Sequence, residues 1–252
     1  RQWGFDGWLG AHYEPEQTTF RVWAPTVKKV ELVLYQSSAE NASVHMVVPM
    51  EKGDQFQPDN HRENTHGVWE VTIPGNLDFH AYRYRVYYHK RNYRDTRDPY
   101  SIATTADGKR SIILSPQSRT YEGFAVRHGK EATWRLDNPN QAVILETHVR
   151  DMTKSVTSGL PQELRGRYLG ACKSGTVNGY GQSTGIDYIK NLGVSHVQFM
   201  PLFDHHQTFD EQGEYAYNWG YDPHNYFTPE GWYASEPENP ESRVRELREL
   251  VN

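Results

Sequence analysis

The densest group of chemically capable side chains lies in the long stretch between Pro201 and Pro240. Carboxyl groups there could move protons or act as nucleophiles, histidines could bind a metal, and aromatic rings could stack on a ligand. The residue types alone assign a catalytic role to none of the acids. These acids are Asp204, Asp210, Glu211, Glu214, Asp222 and Glu230.

One histidine group in this stretch could suggest a metal site. Asp204, His205 and His206 are consecutive, and His224 follows later. Adjacent side chains point in different directions, and this spacing is not one of the usual zinc patterns. We therefore predict no resident metal ion and no cofactor.

A second motif has the spacing of a nucleophile elbow. Gly181–Gly185 reads Gly-Gln-Ser-Thr-Gly, but such an elbow needs a buried strand directly before the serine. Residues 177–180 are too polar for that strand. Capping of a following helix by Ser183 or Thr184 explains these residues better.

The elements around the long stretch alternate between strands and helices. Ala142–Leu145 and Val194–Met200 are apolar runs typical of strands buried on both faces. Between them Thr184 is the predicted N-cap of a helix, with Asp187 at the capping-box distance. Apolar residues at helical spacing predict a last helix near 244–250. This alternation indicates a parallel sheet, in which the loops after strands carry the site.

The first half of the chain consists of short strands separated by turn signals. In residues 81–88 tyrosines and Val86 alternate with arginines, which is the period of a half-buried strand. Glu51–Thr65 is polar and is predicted to be a loop. The pattern favours an antiparallel β-sandwich. The other predicted strands are Thr19–Trp23, Val30–Leu34, Val44–Val48 and Gly67–Ile73.

Composition narrows the class of protein. The 252 residues carry a net charge of −5, which argues against a general nucleic-acid binder. No apolar run is long enough to span a membrane. Aromatic residues make up 13%, enough to build a core although only 36% of residues are hydrophobic. Many tyrosines and tryptophans in an acidic protein also suit sugar ligands. Cys172 is the only cysteine, so no internal disulfide can form, and we favour a cytoplasmic location.

The heptapeptide Tyr217–Pro223 resembles the signature of type I pullulanases, starch-debranching enzymes of glycoside hydrolase family 13. Residues 144–151 resemble the first barrel strand of that family, and residues 184–204 resemble its first helix and second strand. Residues 20–25 and 98–101 resemble the carbohydrate-binding module of family 48 that precedes such barrels.

This resemblance implies two domains of different class. Residues 1–120 would be the β-sandwich module, residues 121–140 a linker, and residues 141–252 the first part of a (β/α)8 barrel. A complete barrel needs about 250 residues, so most of it would be missing from this chain. The open edge of the strand at Val194–Met200 would then need a cover, from the rest of the barrel or from another chain.

The implied activity is hydrolysis of α-1,6-glucosidic links with retention, in pullulan, amylopectin or glycogen. In the family the nucleophile and the acid/base carboxyl group lie on later barrel strands, so we predict no catalytic residue in this chain and no hydrolysis by the chain alone. The alternatives are a fragment of an isoamylase or of a glycogen-branching enzyme, or a non-catalytic α-glucan-binding protein.

By the same resemblance, Tyr221 would stack under the sugar at the scissile bond. Asn218 and Asp222 would shape that subsite, with Trp219 beside it. The alternative is that both rings are buried loop anchors. In the module, exposed rings could bind glucan, although burial is the usual fate of a large ring. The candidates are Trp3, Trp8, Trp69 and Tyr100.

Overall fold

The computed structural model describes residues 5–55, 64–89, 92–120, 136–211, 213 and 215–252. The chain divides into two compact units. The first comprises Arg1–Gln117 with Asn225–Thr228, and the second comprises Ser118–His224 with Pro229–Asn252.

The first unit is built from two antiparallel sheets. One sheet has the spatial order β1 (Gly10–Glu14), β2 (Gln17–Trp23), β6 (Val68–Pro74), β5 (Glu51–Lys52). The other has the order β4 (Val44–Pro49), β3 (Lys29–Tyr35), β7 (Ala81–Tyr87), β8 (Tyr93–Thr96), and β9 (Ser111–Ile112) also pairs with β7.

Both sheets contribute buried residues to one apolar core, and burial alternates most clearly along β2 and β7. Phe20 of β2 packs edge-on against Tyr82 of β7, with ring centroids 5.0 Å apart. The hydroxyls of Tyr82 and Tyr84 both donate to one oxygen of the buried Asp98, at 2.7 and 3.0 Å. The predicted β-sandwich is therefore confirmed.

Details of this unit differ from the sequence prediction. Tyr88 lies beyond the end of β7 and is 54% exposed, so it does not extend the buried face of that strand. The predicted loop Glu51–Thr65 begins with the short strand β5, and its residues 56–63 lie outside the described residues. The strand β1 was not predicted from the sequence, because its apolar and polar residues do not alternate clearly.

The second unit contains a parallel pair of strands. Residue by residue, β10 (Ile144–Thr147) pairs with β11 (His196–Phe199), and helix α2 (Gly185–Asn191) lies between them in sequence. The other elements of this part of the chain are α1 (Tyr168–Ala171), β12 (Phe203–His205), β13 (Pro223–Pro229), α3 (Pro240–Val251) and the 3-10 turns Pro139–Gln141, Val156–Ser158, Gln162–Leu164 and Gly231–Tyr233. Residues 225–228 of β13 belong to the first unit.

The parallel pair is more exposed than the sequence predicts. Ile144 is 60% and Val197 is 39% exposed, whereas apolar runs of this kind usually mark strands covered on both faces. Within the described ranges β10 and β11 have only each other as strand neighbours, which leaves these side chains uncovered.

The start of α2 also differs in detail. Thr184 is the N-cap residue, as predicted, but its hydroxyl donates to the Ser158 carbonyl at 2.6 Å and makes no cap bond. Asp187 accepts from the backbone N–H of Gly175 and does not complete a capping box. Both side chains tie the helix to preceding turns.

The parallel pair with α2 is a single βαβ unit, and no further part of a barrel is evident among the described residues. Of the predicted linker, residues 121–135 lie outside the described part. The domain boundaries remain predictions. None of the helices described could cross a membrane.

Candidate functional site

Asn218 holds the heptapeptide loop in shape with its whole side-chain amide. Its Oδ1 accepts from the Gly220 backbone N–H at 2.8 Å, which closes a tight turn. Its Nδ2 donates to the His206 carbonyl at 2.8 Å and to Asp222 Oδ2 at 3.3 Å. Because both polar atoms already have protein partners, Asn218 orients the loop rather than offering a free amide to a ligand.

Gly220 makes the turn sterically feasible. Its φ is +87°, in the left-handed region that favours glycine. A Cβ at this position would lie 3.0 Å from Pro201 Cβ and 3.1 Å from the Pro201 carbonyl oxygen. The loop therefore lies directly against the segment that follows β11.

His148 connects the end of β10 to the same loop. Its Nδ1 accepts from the Arg150 backbone N–H at 3.1 Å, so the proton is on Nε2. That Nε2 donates to the Asn218 carbonyl at 3.0 Å, with Tyr233 Oη also 3.0 Å away. Burial lowers the pKa of His148, which keeps the ring neutral.

Tyr217 is the first ring of the heptapeptide and packs beside His148, with centroids 5.0 Å apart. The Arg150 guanidinium lies 5.5 Å from the Tyr217 ring centroid. Burial, followed by the charge of Asp151, raises the pKa of the Tyr217 hydroxyl. Tyr217 thus anchors the loop, a role that its residue type alone did not reveal.

Two rings of the loop face solvent. Tyr221 is 64% exposed and Trp219 is 60% exposed, so neither is the buried anchor of the alternative interpretation. Asp222 is exposed beside them, with one carboxylate oxygen held by Asn218. The four residues singled out from sequence therefore lie together in one loop, with two open ring faces and an exposed carboxylate.

A buried polar cluster joins the two ends of this loop, and sequence reasoning missed it. Glu230 Oε1 accepts from the Trp232 backbone N–H at 2.8 Å, and its Oε2 accepts from the His205 backbone N–H at 3.2 Å. The Glu230 backbone N–H donates to the Leu202 carbonyl at 2.8 Å. Glu230 thereby clips residues 202–205 to residues 230–232, between which the whole loop runs.

Asp204, His205 and Arg243 of the same cluster are ionisable and have 0% exposure. His205 Nδ1 lies 3.0 Å from the Phe203 carbonyl, and Tyr215 Oη lies 2.6 Å from His205 Nε2. Burial lowers the pKa of His205, which is therefore neutral. Arg243 of α3 lies 3.8 Å from Asp204.

Burial, followed by the charge of Asp204, raises the pKa of Glu230 to about 7. Glu230 and Arg243 are distant in sequence from Asp204 and His205, and nothing in their spacing signals that they meet. Among the described residues no group of three or more His, Cys, Asp or Glu could hold a metal ion.

The ring candidates of the first unit have different environments. Trp69 is not on the surface: it is 5% exposed, packs in the core, and its Nε1 donates to the Ala24 carbonyl at 2.9 Å. Trp8 is 39% exposed, but the Arg21 guanidinium covers one face at 4.1 Å from the ring centroid. Trp3 lies outside the described residues.

Tyr100 is half-exposed and stacks on Phe227, with centroids 5.8 Å apart. It also lines a groove of about 400 Å³ in the same unit. Trp23, 43% exposed, lines that groove as well and was not singled out from sequence because its strand gave it a structural explanation.

Residues 8–101 match the family described as carbohydrate-binding module 48 (isoamylase N-terminal domain). The whole chain is similar to the pullulanase of Bacillus subtilis (strain 168), at 34% identity over 98% of this chain and 31% of that protein.

Solved structures agree with this similarity. A pullulanase from Paenibacillus barengoltzii, in complex with maltohexaose and alpha-cyclodextrin, matches with a TM-score of 0.85 and 35% identity, over 99% of this chain and 36% of that one. A pullulanase from Bacillus acidopullulyticus matches with a TM-score of 0.83 and 33% identity, over 99% and 28%. The chain thus spans about a third of the length of these relatives.

Proposed function

We propose that this chain is part of a debranching glycoside hydrolase. The premise is that residues 8–101 match the family of carbohydrate-binding module 48 and that the whole chain is similar to pullulanases. The complete enzyme would hydrolyse α-1,6-glucosidic links in pullulan, amylopectin or glycogen with retention. The second unit would be the first part of its (β/α)8 barrel, and β10 and β11 would be the first two barrel strands.

The observation that carries this proposal is the pair of exposed rings on a loop whose backbone is held by hydrogen bonds and a tight turn. Tyr221 and Trp219 keep open faces while Asn218, Gly220 and His148 hold their backbone. An apolar ring face suits the C–H face of a pyranose, and a neighbouring carboxylate such as Asp222 can accept sugar hydroxyls. Tyr221 would stack under the sugar at the scissile bond, with Trp219 beside it.

Retaining hydrolysis needs two carboxyl groups about 5–5.5 Å apart, one as nucleophile and one as acid and then base. Glu230 and Asp204 are buried at 0% exposure, where a sugar cannot reach them. Glu230 and Asp204 are therefore not the reacting pair. By the resemblance to pullulanases the nucleophile and the acid/base group lie on later barrel strands, and we propose that this chain supplies substrate contacts only.

The test is calorimetric titration of the chain with maltotetraose, together with an assay for reducing sugar released from pullulan. Tyr221→Ala should lower the affinity about tenfold, which corresponds to the loss of about 1.4 kcal/mol of stacking. Tyr180→Ala, which removes a 93% exposed ring outside the loop, is the matched control and should bind normally. Neither variant nor the parent chain should release sugar.

Two results would change this interpretation. Release of reducing sugar by the pure chain, unaffected by Tyr221→Ala, would overturn both the inactivity and the site assignment. Binding that survives Tyr221→Ala but is lost in Tyr100→Ala would favour the alternative of a glucan-binding module, because Tyr100 lines the groove of the first unit.

A further inference from the structure

A cavity of about 280 Å³ in the second unit is lined by four cationic side chains. Arg150 and Lys154 come from the segment after β10, and Arg165 and Arg167 flank the turn that leads into α1. No acidic residue is among the described residues that line it. Four like charges around one small space repel one another unless an anion lies among them.

Gly166 brings these four residues together. Its φ is +74°, and a Cβ there would lie 3.1 Å from Arg150 Cγ and 3.3 Å from Lys154 Cδ. The backbone N–H of Gly166 donates to Thr153 Oγ1 at 2.8 Å, which ties the turn to the segment carrying Lys154. The aliphatic stems of Arg150 and Lys154 therefore lie directly on the glycine between Arg165 and Arg167.

Among the described residues, two carboxylates outside the cavity interact with its cationic side chains. Asp151 lies 4.0 Å from Arg150 Nη1, and Glu246 acts electrostatically on Arg167. Arg165 donates through Nε to the Leu160 carbonyl at 2.8 Å, which fixes its position without neutralising it. In the part of the chain that the structure describes, Lys154 and Arg165 have no carboxylate partner.

One wall of the cavity is aromatic. Tyr215 and Trp232 both line it and stack on each other, with centroids 5.6 Å apart and an interplanar angle of 10°. A volume of 280 Å³ holds a phosphate group together with a sugar ring or several waters. Arginine forks and a lysine suit phosphate oxygens, and the ring wall suits the apolar face of a pyranose.

We propose that this cavity is a binding site for a phosphate group, supplied by a sugar phosphate monoester or by inorganic phosphate. The exposed rings Tyr221 and Trp219 do not line this cavity, and the proposal does not depend on the proposed hydrolase function. Lys154 and Arg165 hold the phosphate oxygens, and Arg167 adds to the positive field.

The test is calorimetric titration of the 252-residue chain with inorganic phosphate and, separately, with glucose 6-phosphate, at pH 7.5 and constant ionic strength. Saturable binding is expected for the parent chain. Lys154→Gln should weaken it about tenfold, the effect of one charge-assisted hydrogen bond. Lys154→Arg should retain binding. Lys173→Gln, the same charge change at an exposed lysine of this unit outside the cavity, is the matched control.

Binding of both ligands would identify the phosphate group itself as sufficient. Binding of glucose 6-phosphate alone would identify the sugar phosphate monoester as the ligand, and binding of inorganic phosphate alone would identify the free ion. All three results support the site. Absence of saturable binding of either ligand would overturn the proposal. Equal affinity of the parent chain and Lys154→Gln, with Arg165→Gln also unchanged, would overturn it as well, because the binding would then lie elsewhere.

Discussion

The conformation of the loop that carries Tyr221 and Trp219 depends on two positions at which few other residue types would fit. Gly220 must adopt a positive φ at a position where an added Cβ would lie 3.0 Å from Pro201 Cβ. Asn218 must present both an acceptor and a donor, one to Gly220 and one to His206. Asn218 and Gly220 thus fix the backbone of the loop, and this backbone holds the rings of Tyr221 and Trp219 exposed to solvent.

Gly220→Ala should therefore destabilise the second unit by about 2–3 kcal/mol, the combined effect of a strained φ and of overlap with Pro201. Gly181→Ala is the matched control, because Gly181 has a φ of +75° but nothing within 4 Å of an added Cβ. It should lose only the strain, about 1 kcal/mol. Urea unfolding of both variants measures the difference, and equal losses would contradict the role assigned to Pro201.

At the scale of elements, the segment after β11 and the turn Gly231–Tyr233 are held together by one buried carboxyl group. Glu230 accepts backbone N–H bonds from both sides of the loop, and Asp204, His205, Tyr215 and Arg243 surround it. A buried carboxyl group that is ionised is costly unless it is well bonded. The stability that Glu230 contributes by joining these two segments should therefore depend on pH.

The pKa of Glu230, about 7 in the folded chain, lies above the ordinary value of 4.5. The folded chain thus binds a proton that the unfolded chain has lost, so this group stabilises the fold at pH 4.5 and loses that contribution as the pH rises to about 7. The change is on the order of 3 kcal/mol. His205 has a lowered pKa and acts in the opposite sense as the pH falls below 6.5.

Glu230→Gln should remove the contribution of Glu230 and leave that of His205. The free energy of unfolding, measured by urea between pH 4.5 and 8, should fall less steeply with rising pH in the variant than in the parent chain. Glu241→Gln is the matched control, since Glu241 lies on the partly exposed side of α3. Parallel pH profiles for the parent chain and Glu230→Gln would refute the assignment.

At the scale of the whole molecule, the two units differ in how well they bury their sheets. The first encloses an apolar core between two sheets, with Leu32 and Tyr84 at 0% exposure. The parallel pair of the second leaves Ile144 and Val197 open. We propose that another barrel segment or another chain covers this face, since unpaired strand edges and apolar faces favour association.

Hydrogen exchange tests this proposal. In the isolated chain at low concentration, amides of β10 and β11 should exchange much faster than those of β3 and β7, because exchange protection follows local burial. If a second copy covers the face, protection should rise with concentration, and Ile144→Thr should abolish that rise while Val156→Thr, at a 76% exposed site, should not. A monomer with full protection of β11 would show that no cover is needed.

Strand and helix patterns were readable from the sequence because alternation and helical spacing follow from which face is buried. They predicted the β-sandwich and the strand–helix–strand unit, and the resemblance of Tyr217–Pro223 pointed to the loop whose rings the structure leaves open. Each of these features depends on residues that are close together in the sequence, so a sequence pattern can reveal it.

The tertiary structure decided what depends on packing between distant segments. Trp69 and Tyr100 are both aromatic, yet sheet packing buries the first and leaves the second half-exposed. Glu230, His205 and Arg243 become one buried cluster, and the basic cavity forms around Gly166, only when the chain folds back on itself. Burial and electrostatic contact depend on which residues are close in space. A short stretch of sequence does not show which distant residues these are.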